Sequence, residues 1–146
     1  MSKCASMVIS PTLPRSAPRP STAGRVTGIE VNPTAVEDAQ ANARRAGLQS
    51  VSFRQADVRQ GLASCPKAVG ETIVLDPPRT GAGPDVARAV SARRPATIVY
   101  VSCDPPTLAR DLKAFSAAGY RLESVSAFDM FPDTYHLETV ARLLPA

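Results

Sequence analysis

The chain has 146 residues, a formal charge of +4 and 44% hydrophobic content, enough for one domain with its own core and too mildly basic to demand a polyanionic partner. Three cysteines without a C-x-x-C pair, and one histidine, argue against a disulfide framework or a four-ligand zinc site built by this chain alone. No apolar run approaches the roughly 18 residues of a membrane span, and no signal core is present, so a cytoplasmic protein without a metal is expected.

Residues 1–24, "MSKCASMVISPTLPRSAPRPSTAG", carry Pro11, Pro14, Pro18 and Pro20, which deny the segment ladder donors and helical continuity. They read as a disordered or atypical leader, with "ASMVIS" too short and too distant to serve as a central strand. From Arg25 the pattern changes. "RVTGIEV" is a strand ending near Glu30. "NPTAVEDAQANARRAGL" is a helix with Asn32 as N-cap, Pro33 in its first position and Gly47 as its stop. "VSFRQADV" alternates as a strand, with Val51 and Phe53 on one face. "ETIVLDPP" is a near-continuous apolar run closed by Asp76, the pattern of a strand buried on both faces.

"PDVARAVSARR" then predicts a helix, "TIVYVSC" a second buried strand, and "TLARDLKAFSAAGY" a helix stopped by Gly119. "RLESVSAFDMF" and "HLETVARLL" read as two strands joined by the turn "PDTY". Strands alternating with helices imply βαβ crossovers and a mostly parallel α/β sheet. The last two strands leave no room for a helix between them and must pair antiparallel. That is the layout of the Rossmann-like class I methyltransferases.

In such a sheet, ligands bind beyond the carboxyl ends of the strands. Glu30, Asp57, Asp76 and Cys103 fall at four successive strand ends. A carboxylate at Glu30 can accept both hydroxyls of a ribose; otherwise it is a solvated residue near a helix start. Asp57 can accept from an adenine amino group or serve as a turn aspartate. Asp76 is held by Pro77 and Pro78, which fix the exit of the strand. Cys103 precedes a helix capped by Asp104, where the positive end of the helix dipole favours a thiolate; the competing reading is a small inert core residue. Glu138 lies early in the last strand and shares a face with His136; it can act as a general base, or simply face solvent on an edge strand.

"DPPRTG", "IVYVSCDPPTLARDL" and "FDMFPDTYHLETVA", in this order and spacing, resemble the RNA 5-methyluridine (uracil-C5) methyltransferases, which methylate uridine in tRNA or rRNA. "GIEVNPTAVEDAQANARRAGLQSVSFRQADV" is similar to the middle section of the same family. The resemblance covers about residues 25–146 and implies the C-terminal part of a catalytic domain. It implies Cys103 as nucleophile, Glu138 as general base, Glu30 and Asp76 as S-adenosyl-L-methionine ligands, Asp57 in the region lining the adenine, and RNA as partner.

The sequence departs from the family before "GIE". The first strand with its glycine-rich loop, the N-terminal half of the methyltransferase domain, the RNA-binding β-barrel and the four-cysteine motif are not found there. The fold expected is therefore a class I sheet lacking its first strand and that loop, with weak or no cofactor binding by this chain alone; the chain reads as the C-terminal portion of an enzyme, whether a fragment, a truncated reading frame or a subunit with a complementing N-terminal part. Two other readings stay open. One is a methyltransferase of another substrate, with Asp76, Pro77 and Pro78 holding an amine. The other is a non-catalytic remnant that binds RNA or a protein partner.

Overall fold

The structure is a computed structural model that describes residues 24–129 and 137–146 in full and residues 5–10 as backbone. Cys4, the turn "PDTY", His136 and the rest of the leader before Gly24 lie outside the described residues.

Among the described residues seven strands form one sheet: β1 (Ala5–Ser10), β2 (Arg25–Glu30), β3 (Val51–Gln55), β4 (Thr72–Asp76), β5 (Thr97–Ser102), β6 (Tyr120–Phe128) and β7 (Glu138–Pro145), in the order β3-β2-β1-β4-β5-β7-β6. Among the described residues four helices connect them: α1 (Pro33–Arg45), α2 (Val58–Ser64), α3 (Gly83–Ala92) and α4 (Pro105–Ala117). The pairs β2–β3 and β4–β5 are parallel, and β7 is antiparallel to both β5 and β6. The expected closing hairpin is therefore present.

The expectation of a missing central strand is corrected. "ASMVIS" forms β1 and fills the slot between β2 and β4, antiparallel to both, with Ser10 opposite Arg25 and Ala5 opposite Asp76. Sequence distance was a poor objection, because a strand needs only backbone partners and two neighbours each offered a free row of them. The reversed direction has a consequence: the chain leaves β1 at the edge where β2 begins. A loop following this strand thus starts at the end of the sheet opposite Glu30 and Asp76.

α1 begins as predicted. The Asn32 side chain accepts from the Thr34 and Ala35 amides at 3.0 and 3.4 Å, Pro33 occupies the first turn, and Gly47 leaves with φ +67°. α2 was not predicted. It has seven residues with Gly61 in its middle, a poor helical pattern on its own. Packing explains the glycine: a Cβ there would lie 2.5 Å from Ile29 Cγ2, so the helix can sit this close to β2 only without one. The core lies between the sheet and α2–α4, where Ile73, Leu75, Ile98, Tyr100, Ala141 and Leu143 meet Leu62, Ala87, Val90, Leu108 and Phe115. Tyr100 and Phe115 pack edge to face with ring centroids 6.3 Å apart. α1 covers the other face, over β3, leaving Val74, Val99, Val101 and Val140 half-buried on that side.

Candidate functional site

Because β2, β3, β4 and β5 run in one direction, their carboxyl ends share one edge of the sheet. Glu30 ends β2, Asp57 follows β3 by two residues, Asp76 ends β4, and Cys103 follows β5 directly. β7 runs the other way, so its first residue, Glu138, comes to the same edge. The ladder pairs Ser102 with Thr139, and Cys103 and Glu138 each lie one residue beyond that pair. Both residues are half-buried rather than part of the fully buried core.

Two residues that sequence reasoning passed over hold this junction. Buried Ser102 accepts from the Asp104 amide at 3.1 Å and lies 3.1 Å from the Asp104 carbonyl, bridging the backbone on either side of Cys103. Buried Thr139 donates through Oγ1 to the Ser102 carbonyl at 2.9 Å, tying the start of β7 to the end of β5. A hydroxyl residue in the last position of an otherwise apolar strand was the available signal.

The helix terminus beside Cys103 is more occupied than the sequence suggested. Asp104 caps α4, as expected, accepting from the Thr107 amide at 3.0 Å. Pro105 and Pro106 carry no N–H, so that amide is the first donor of the helix and it is already used. The Thr107 amide, with its side-chain hydroxyl second, holds the Asp104 carboxyl below the usual range.

Of the remaining acids, Asp57 lines a cavity of about 290 Å³ together with Val31, Ala56, Val58, Thr80 and Ala82, while Glu30 and Asp76 are not among its lining residues. Its wall is mainly apolar with one carboxylate, a lining suited to a flat heterocycle bearing an amino group. Asp57 also caps α2, accepting from the Arg59 amide at 2.9 Å and from Arg59 Nε at 3.2 Å, both through Oδ1. The capping role and the cavity position thus coexist. Glu30 accepts from the Asn32 amide at 2.8 Å through Oε1, which leaves Oε2 for a second donor. Partial desolvation raises the Asp76 carboxyl above its ordinary value, although the residue presents much of its surface to water, so the energetic weight of this shift is small.

A larger hollow of about 860 Å³ opens at the opposite edge, beside Arg25, Arg54 and Lys67. It touches none of the five predicted residues, so size alone does not identify the site. Among the described residues, no group of His, Cys, Asp and Glu could hold a metal ion, and no helix is long and apolar enough to cross a membrane.

A family model described as tRNA (uracil-5-)-methyltransferase matches residues 66–144, a span containing Asp76, Cys103 and Glu138 but not Glu30 or Asp57. A Thermotoga maritima protein named as an uncharacterized RNA methyltransferase is 43% identical over 122 residues, covering 84% of this chain and 28% of its own length. The 23S rRNA (uracil(1939)-C(5))-methyltransferase RlmD of Alcanivorax borkumensis is 40% identical over 126 residues, covering 85% of this chain and 28% of its own. The crystal structure of Pyrococcus abyssi tRNA (uracil-54, C5)-methyltransferase in complex with S-adenosyl-L-homocysteine superposes with a TM-score of 0.70 at 36% identity, covering 81% of this chain and 28% of that one. The chain thus spans a little over a quarter of the length of these relatives.

Proposed function

This chain belongs to the tRNA (uracil-5-)-methyltransferase family, and from that premise we propose that it carries the catalytic edge for methylating carbon 5 of a uridine in tRNA or rRNA. The observation that carries the reading is the β5–β7 register. With Ser102 opposite Thr139, a sulfur nucleophile and a carboxylate base become neighbours at the edge where Glu30, Asp57 and Asp76 gather.

The residues fit the nucleoside part of S-adenosyl-L-methionine. Glu30 has an acceptor oxygen for the ribose hydroxyls, and Asp57 stands at an apolar cavity of adenine type. Asp76, fixed by Pro77 and Pro78, holds the third position. β1 begins at this edge and ends at the other, so in this reading the methionine part is held by residues other than those named here. The cofactor supplies a methyl group on a sulfonium, an electrophile that a neutral uracil C5 is too weak to attack. Cys103 adds through sulfur to C6; the C5–C6 electron pair moves toward C5 and the C4 carbonyl, and C5 becomes nucleophilic. After C5 has been methylated, Glu138 accepts its proton, the C5–C6 double bond returns, and the C6–S bond breaks.

RNA recognition and the methionine contacts belong, in this reading, to a complementing N-terminal part. Two facts support it: the chain spans about a quarter of its relatives, and Val74, Val99, Val101 and Val140 are left half-buried. The test is methyl transfer to carbon 5 of uridine in RNA transcripts, with the chain alone and with the N-terminal portion of the Thermotoga relative added. Transfer is expected only with the complement and should be lost in Cys103→Ala. A fully active Cys103→Ala variant would instead favour methylation of another substrate at Asp76–Pro78. RNA binding without transfer in the complemented wild type would favour a non-catalytic remnant.

A further inference from the structure

We infer that one face of α4, carrying Thr107, Arg110 and Asp111, clamps the loop Arg79–Gly83 that walls the nucleoside cavity, and that Asp111 is the positioning residue of this clamp. The inference rests on reading the cavity as part of the cofactor site.

These three residues keep helical spacing, so they project from one side of α4. Each takes hold of the loop at a different point. Thr107 Oγ1 donates to the Arg79 carbonyl at 3.0 Å, and Arg110 Nη2 donates to the Thr80 carbonyl at 2.7 Å. Asp111 is fully buried; its carboxylate accepts from the Ala82 amide at 2.7 Å and from the Gly83 amide at 3.2 Å. Those amides open α3, whose own N-cap, Ala82, offers no side-chain acceptor. Asp111 therefore caps α3 from another helix, satisfying donors the helix cannot satisfy itself.

The carboxylate is compensated on every side. Tyr100 donates its hydroxyl to Oδ2 at 2.5 Å, and Arg110 donates through Nε and Nη2 to Oδ1 at 3.0 and 2.9 Å. Burial, with the Asp111 bond second, holds the Tyr100 phenol protonated far above its ordinary range, so it acts as a fixed donor. Gly81 completes the fit: its φ is +78°, and a Cβ there would come within 2.5 Å of Asp111 Oδ2. Thr80, Gly81 and Ala82 line the cavity, and α4 starts two residues after Cys103. The clamp thus joins the cavity wall and the nucleophile's helix into one unit.

Hydrogen exchange by NMR on the full chain tests this without any ligand. In Asp111→Asn, the Ala82 and Gly83 amides should exchange at least about tenfold faster, while Val90, Ile98 and Tyr100 keep their protection. Should that variant fail to fold, Tyr100→Phe, which removes one donor, should give a smaller acceleration confined to the same two amides. Unchanged Ala82 and Gly83, or a uniform rise at all sites, overturns the inference.

A second readout uses S-adenosyl-L-homocysteine with the complemented chain. Asp111→Asn should raise its Kd about tenfold. Equal affinity in the variant and the wild type counts against the clamp. If the complemented wild type binds no S-adenosyl-L-homocysteine, the cofactor reading falls, and the exchange data alone decide the clamp.

Discussion

Glu71 and Arg93 form a buried ion pair, and removing one partner gives a measurable test of how this domain is held. Glu71 is 1% exposed and the Arg93 side chain 5%. Arg93 Nε donates to Glu71 Oε2 at 2.9 Å and Nη2 to Oε1. Its other donors reach the carbonyls of Leu62 at 2.6 Å, Cys65 at 3.0 Å and Pro66 at 3.0 Å. The arginine thus ties the end of α2 and its following loop to the start of β4.

Arg93→Ala leaves a buried carboxylate without its counter-charge, a loss of about 3–5 kcal/mol. Set against a total stability of about 5–15 kcal/mol, this should lower Tm by roughly 8–20 °C. The double variant Glu71→Leu with Arg93→Leu removes both charges, and for an ordinary buried pair that is close to neutral. Here three backbone carbonyls would still lack donors, so the double variant should remain about 1–3 kcal/mol below wild type. Urea unfolding followed by circular dichroism, with unchanged m values, measures all three proteins. A loss below about 1 kcal/mol in Arg93→Ala, or full recovery in the double variant, would refute the reasoning.

Gly61→Ala in an exposed helix would gain about 1 kcal/mol, but here the added methyl meets Ile29 and the change should cost about 1–3 kcal/mol by the same unfolding assay. The two shifted carboxylates should respond to pH in opposite senses. Asp104, with its folded pKa lowered, stabilises the start of α4 above the usual carboxylate range and loses this as pH falls through the folded value, so protection of the Thr107 amide should persist to below about pH 4. Asp76, with its folded pKa raised, contributes stability at low pH that fades as pH rises through that value. Asp76→Asn should therefore gain on wild type above the carboxylate range and match it below. Calorimetric titration of this chain alone with S-adenosyl-L-methionine should show no micromolar binding; a micromolar Kd would remove the need for a complement.

The sequence made the parallel strands and the cap residues legible because each has a local cause. Apolar runs closed by Asp76 and Cys103 mark strands that end at an exposed edge, and Asn32 and Asp104 sit beside the amides they satisfy. Alternation and chain direction were enough to bring Glu138 to the edge of Cys103. What escaped depends on partners far away in the chain. β1 exists through ladders to β2 and β4, which no six-residue pattern announces. α2 keeps Gly61 for the sake of Ile29, so its local signal is weak where its packing is close. Asp111 occupies a position on the buried face of α4, between Leu108 and Phe115, and its use becomes visible only when Tyr100 and the Ala82 amide come to meet it.

The most direct test of the central claim uses RNA in which the target uridine is replaced by 5-fluorouridine, whose C5 fluorine cannot be removed as a proton. The chain with its complement and S-adenosyl-L-methionine should give an adduct that survives denaturation, and mass spectrometry of the digested protein should place it on Cys103 and find none in Cys103→Ala. An adduct on another residue, or none from the complemented wild type, would contradict the account.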